Sequence, residues 1–305
     1  MADLSVNIAG LKMKNPVMTA SGTYGSGKEY GQLIDLNRLG AICAKTVTLK
    51  PIAGNPPPRL WETPSGMLNS IGLQNDGIDA FIANDIPFLA RYDIPLIVSI
   101  AATSVDDFGR LAKMLSTISE VDAIELNISC PNAKAGGIIF GSDEKLATEV
   151  VSKTRLASSK PIIAKLTPNT SNIGDMARAC ERAGADALSL INTIYGMAVD
   201  VGSLKPRLGS IVGGLSGPAV KPIAIRMVWE VVRATNIPVI GMGGIMTYED
   251  ALEFIIAGAV GIAVGTANFV DPQAPIKIIE GIDKFLDDRG ISSIVEVTGA
   301  LKTSR

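Results

Sequence analysis

AIELNISC, residues 123–130, is a short apolar run that carries a carboxylate and ends in Asn, Ser and Cys. Three runs of the same design precede it: NPVMTASG (15–22), AICAKTVT (41–48) and LIVSIAA (96–102). Four follow: IIAKLT (162–167), ALSLINT (187–193), PVIGMGG (238–244) and GIAVGTA (261–267). Runs that are apolar on both faces and separated by helix-length segments are the signature of parallel strands covered by helices. Eight of them predict an α/β fold, a (β/α)8 TIM barrel, whose functional residues gather where the strands end. The barrel usually needs roughly 250 residues, so part of this 305-residue chain is expected as long βα-loop insertions at the C-terminal face. No Pro/Ser-rich linker or charge block divides the chain, and residues 1–305 are read as one domain.

Apolar residues make up 47% and charged residues 19% of the chain, with a net charge of −2. That composition supports a large core and offers no basic face for nucleic acid. The start, MADLSVNIAGLKMKNPV, lacks the apolar stretch of a signal peptide, and no run reaches the ~18 residues of a membrane span. A cytoplasmic protein with no membrane partner is therefore expected. Cys43, Cys130 and Cys180 are odd in number and far apart, which fits neither a disulfide framework nor a metal site. There is no histidine, so proton abstraction must fall to Cys, Lys, a carboxylate, Tyr or a hydroxyl.

Between the runs, residues 104–118 open with a Ser cap and place Phe108, Leu111, Met114 (or Leu115) and Ile118 on one helical stripe. Residues 171–184 repeat that design from Ser171, with Ile173, Met176, Ala177 and Cys180 inward and Gly184 as a stop. Residues 247–258 have a Thr cap, an acidic first turn and a terminal Gly258. Cys43 and Cys180 read as small core hydrophobes. Three connections, 49–76, 131–142 and 194–217, are rich in Gly or Pro and too long for turns. They are expected as structureless loops forming lids or binding walls.

The chemistry-bearing residues sit at the strand ends. GMGGI (241–245) and VGTAN (264–268) are glycine loops whose backbone amides can approach an anion, and they follow the two strands that often hold a phosphate in this barrel. Lys45 and Lys165 lie inside apolar strands, where an unpaired ammonium is costly; each needs an anionic ligand or a partner such as Glu125. Alternation puts Glu125, Asn127 and Ser129 on one side of their strand. Asn69, Asn127 and Asn192 pair a donor with an acceptor and suit an imide or ureide edge. Cys130 can serve as base or nucleophile, and Glu125 is its competitor as base.

KNPVMTASGTYGSGKEY (14–30), GNPPPRLWET (54–63), GMLNSIGLQN (66–75), ELNISCPN (125–132) and INTIYGMAVD (191–200) together resemble the dihydroorotate dehydrogenases of class 1, most closely the class 1B catalytic subunit. GGLSGPAVKPIAI (213–225), IGMGGI (240–245) and VGTA (264–267) extend the resemblance over nearly the whole chain. The resemblance implies an FMN barrel that oxidises (S)-dihydroorotate to orotate in pyrimidine synthesis. Cys130 would take the C5 proton while a hydride leaves C6 for FMN, with Lys45 at the reacting centre. Substrate would be held by Lys45, Asn69, Asn127, Asn192 and Thr193, beside a wall of Ser70, Ile71, Gly72 and Leu73. FMN would be held by Ser21, Lys45, Thr46, Ser99, Asn127, Lys165, Ile191, Gly217, Gly243, Gly244, Gly265 and Thr266. Ser99 stands where many class 1B members carry Asn, and Ala101–Thr103 replaces a glycine-containing turn.

Class 1B membership implies a homodimer joined to a second subunit that carries FAD and a 2Fe–2S cluster, a heterotetramer passing electrons to NAD. Three scattered cysteines cannot ligate such a cluster here. The alternatives are a class 1A enzyme using fumarate, a flavin-dependent dihydropyrimidine reductase, and a non-catalytic barrel that binds a phosphate ligand.

Overall fold

A computed structural model describes residues 2–129 and 140–303. The eight apolar runs form one parallel sheet: β1 Val17–Thr19, β2 Ile42–Val47, β3 Leu96–Ile100, β4 Ala123–Leu126, β5 Ile162–Lys165, β6 Ala187–Leu190, β7 Val239–Met242 and β8 Gly261–Val264. Each strand pairs with its sequence neighbour, β8 pairs with β1, and a parallel bridge from Met18 to Ala41 brings β1 to β2 and closes the barrel. Nearly every strand residue is buried, because barrel side chains face either the filled interior or the surrounding helices.

The longer helices are α1 Gly77–Asn84, α2 Val105–Ser116, α3 Glu144–Ala157, α4 Ile173–Arg182, α5 Lys221–Ala234, α6 Tyr248–Ile256 and α7 Ala274–Asp287. Their starts follow the capping chemistry of the sequence. The Ser104 hydroxyl accepts from the Asp107 amide, and Thr247 with Asp250 forms a reciprocal capping box. α4 is capped by Asn172 and not by Ser171, since an Asn at that position reaches the Asp175 amide equally well. On α2 the inward stripe runs through Phe108, Leu111 and Leu115, leaving Met114 half-buried. Gly184 and Gly258 end their helices at φ +102° and +114°. At the opposite end of the barrel, a hairpin of Val6–Ile8 and Leu11–Met13 packs Ile8 against the start of β8.

Two of the long connections are not structureless. Leu60–Thr63, Gly66–Asn69, Val212–Ser216 and Ile194–Met197 form a four-stranded antiparallel sheet that borders the C-terminal mouth. Its central pairing joins Asn69 to Gly214 and Leu68 to Leu215, so residues far apart in sequence share one wall. Arg207 stacks on Trp61, 4.2 Å from the ring centroid, and pairs with Asp200 at 3.0 Å, tying the second insertion to the first. Of the connection 131–142, only Phe140–Ser142 is described, as a single 3-10 turn. No described helix is long and apolar enough to cross a membrane.

Candidate active site

Every barrel strand except β3 supplies lining to one cavity at the C-terminal mouth, from its last residues or from those just past its end. Bulging in β2 explains how two adjacent residues reach it. Ala44 pairs with Val98 and Val47 with Ile100, so Lys45 and Thr46 together stand opposite Ser99. A bulge re-aims side chains that regular alternation would send to opposite faces. Lys45 and Thr46 both line the cavity; Ser99 is fully buried beneath it, with its hydroxyl 3.0 Å from that of Thr46.

The amides expected to converge do so. Asn127, Asn192 and Asn69 all line the cavity. Asn127 donates to Thr46 Oγ1 (3.3 Å) and accepts from Ser129 (3.2 Å), while Asn192 donates to Ser129 Oγ (2.9 Å) and accepts from the Thr193 amide (2.7 Å). Asn69 arrives from the antiparallel sheet and donates to the Gly214 carbonyl (3.2 Å). Thr193 fits there because residue 214 is glycine: a Cβ would lie 2.0 Å from Thr193 Oγ1. Ile71, Gly72 and Leu73 form part of the wall, whereas Ser70 is buried behind it.

Glycine loops border the other side. Gly243 and Gly244 take φ +125° and +80°, conformations that L side chains rarely adopt. Gly217 lies behind them, its carbonyl packed against Gly244. Gly265 and Thr266 line the cavity with Ser21 and Ile191. Cys130 lies outside the described residues.

Below the floor is a buried polar cluster. Glu125, 2% exposed, accepts from Ser21 Oγ at Oε1 (2.9 Å) and from Ser189 Oγ at Oε2 (3.1 Å). Lys165, 5% exposed, donates to Ser21 Oγ (3.2 Å), with its Nζ 3.7 Å from Glu125 Oε1. Lys165 reaches the cavity and Glu125 does not. With both oxygens engaged and no face on the cavity, Glu125 is poorly placed to take a substrate proton, and its standing as a competing base falls away. The Lys165–Glu125 attraction is about 4 kcal/mol at an effective dielectric of 20, against a desolvation cost of several kcal/mol per ion. Such a pair contributes little net stability. Cys43 is buried as expected, but it borders this cluster: burial and the neighbouring Glu125 charge push its thiol well above the usual range.

An apolar wall of Leu60, Met67, Leu215 and Phe269 completes the cavity and was missed in the sequence. The two-residue Pro64–Ser65 link between LWET and GMLN was the available hairpin signal.

This arrangement of two lysines, converging amides and glycine loops suits a flat, hydrogen-bonding, anionic ligand. Residues 3–286 match the family model described as Dihydroorotate dehydrogenase. The chain belongs to the dihydroorotate dehydrogenase family. It is 55% identical over 301 residues to the dihydroorotate dehydrogenase B (NAD(+)) catalytic subunit of Geotalea uraniireducens, covering 99% of both chains. It is 53% identical to the protein of the same description from Alkaliphilus metalliredigens, covering 98% of this chain and 99% of that one. A dihydroorotate dehydrogenase from Eimeria tenella, solved with ferulenol, shares the fold at a TM-score of 0.80 and 23% identity, covering 98% of this chain and 88% of the other. The dihydroorotate dehydrogenase fold thus accounts for the barrel and for the position of its mouth.

Proposed function

We propose that this chain is the FMN-binding catalytic subunit of a cytoplasmic, NAD-linked dihydroorotate dehydrogenase that oxidises (S)-dihydroorotate to orotate in pyrimidine synthesis. The observation that carries the reading is the cavity itself, where Lys45, Lys165, Asn69, Asn127 and Asn192 line one space beside two glycine loops, in a chain of this family. Its electrons would leave through a second subunit bearing FAD and a 2Fe–2S cluster, with the catalytic chains paired as a homodimer.

The lining fits a flavin nucleotide. Gly22 and Gly265 border the cavity, and a Cβ on Gly22 would meet nothing within 4 Å, while one on Gly265 would meet only Ala20 at 3.7 Å. Side chains there would occupy ligand space. The backbone of Gly243, Gly244 and Gly265 would supply neutral donors for a phosphate, beside Thr266, whose hydroxyl donates to Ser216 Oγ (2.8 Å). Ser21, Lys45, Thr46, Asn127, Lys165 and Ile191 would line the rest of the cofactor, with Ser99 supporting Thr46 from below and Gly217 supporting Gly244. When bound, FMN supplies the two-electron acceptor for the C6 hydride.

The chain's own residues do the remaining work. Lys45 would neutralise the orotate carboxylate. Asn69, Asn127, Asn192 and Thr193 would hold the ring by its amide edges and fix its orientation, against the wall of Ile71, Gly72 and Leu73. Cys130 would remove the C5 proton, which the adjacent carbonyl acidifies. Lys165 would hold positive charge where negative charge develops.

Substrate choice separates this reading from a dihydropyrimidine reductase. Flavin-loaded enzyme should be reduced anaerobically by dihydroorotate and far more slowly by dihydrouracil, which lacks the carboxylate for Lys45. Equal rates with both would reject the assignment.

A further inference from the structure

Glu125 is a buried carboxylate that the chemistry proposed above does not use. Its two oxygens are held by hydroxyls from different parts of the barrel, Ser21 following β1 and Ser189 on β6, while Lys165 comes from β5. Ser21 also accepts from Lys165, so one hydroxyl bridges the ammonium and the carboxylate. The pair is thus located by barrel strands rather than by a loop, and its net contribution to stability is small.

We propose that Glu125 is a positioning residue: clamped by Ser21 and Ser189, it fixes the Lys165 ammonium at the cavity floor, and so sets the reduction potential of the flavin. This rests on the FMN reading above. Reduction of a flavin builds negative charge, and a cation already in place stabilises that charge without reorganisation. Of the three N–H groups of Lys165, one is spent on Ser21; the carboxylate and the hydroxyl together decide how the others point. Loss of the Glu125 carboxylate therefore frees the Lys165 ammonium to turn away from that position, and the oxidised flavin gains relative to the reduced one.

The test is the midpoint potential of bound FMN at pH 7, measured anaerobically against redox dyes in wild-type holoenzyme, Glu125→Gln, Lys165→Met and the double variant. Glu125→Gln should shift the oxidised-to-reduced ratio at least tenfold toward oxidised, about 30 mV downward for a two-electron couple. Adding Glu125→Gln to Lys165→Met should move the potential no further, because the carboxylate acts through the lysine. An unmoved potential in Glu125→Gln, or a shift of equal size in both backgrounds, overturns the proposal. If Glu125→Gln does not fold, Ser189→Ala removes a single hydrogen bond from Oε2; a smaller downward shift supports the clamp, and no shift refutes it. Wild-type protein that takes up no FMN contradicts the functional reading instead, whereas normal wild-type flavin with an unmoved variant potential sinks the positioning role alone.

Discussion

Charged side chains inside apolar strands carried the sequence reading of the site, because burying a charge is costly enough to demand a reason. Lys165 has such a reason in Glu125 and the cavity, and Lys45 is brought to the same cavity by the bulge in β2. Depth along the barrel axis was not legible. The resemblance names Ser99 as a flavin contact but says nothing of its height, and it lies beneath the lining with Thr46 between it and the ligand space. Ser70, which the resemblance places in the wall, is buried between Asn69 and Ile71, and it is those neighbours that line the cavity. The role proposed for Cys130 comes from the ELNISCPN motif that carries the family resemblance, in a chain with no histidine to serve as base. Cys130→Ser should slow flavin reduction by dihydroorotate by about 10² or more near neutral pH, read by stopped-flow absorbance. Near-normal reduction would remove the thiol from the proton transfer.

Strands and helices with a strong local period were legible; pairings between distant segments were not. All eight barrel strands lie within the runs quoted first, and the caps at Ser104 and Thr247 sit where the sequence puts them. The antiparallel sheet at the mouth escaped notice because its partners are separated by the whole middle of the chain, as Asn69 and Gly214 are, and because the connections that carry it are rich in Pro and Gly. Its close packing makes Gly214→Ala informative. The added Cβ collides with Thr193, an overpacking cost of about 1–3 kcal/mol, so KM for dihydroorotate should rise roughly ten- to hundredfold while the flavin stays bound. An unchanged KM would show that this wall does not shape the substrate site. On α4, burial and the neighbouring Glu144 push the Cys180 thiol up to about 12 from an ordinary value near 9. Between those values the unfolded chain has lost the proton that the folded chain keeps, so stability is full below pH 9 and falls as pH rises toward 12. Urea unfolding of Cys180→Ala across that window should show a shallower decline than wild type; identical slopes would assign the loss to other groups.

For the molecule as a whole, the barrel positions the chemistry and the mouth sheet encloses it. Strand ends supply the lysines, two of the three amides and the glycine loops, while the insertions add Asn69 and the apolar wall. The family and the fold class could be read from the sequence because the motifs lie at strand ends spread along the chain. The sheet that joins two of its insertions could not. Electron transfer to NAD is assigned to another subunit, so the isolated chain should complete only the first half-reaction. Anaerobic addition of dihydroorotate to the purified, FMN-supplied chain measures this directly. The proposed function predicts a yellow protein whose flavin bleaches with one orotate formed per flavin, with neither partner nor NAD present. A colourless chain that takes up no flavin, or bound flavin that dihydroorotate leaves oxidised, would contradict it.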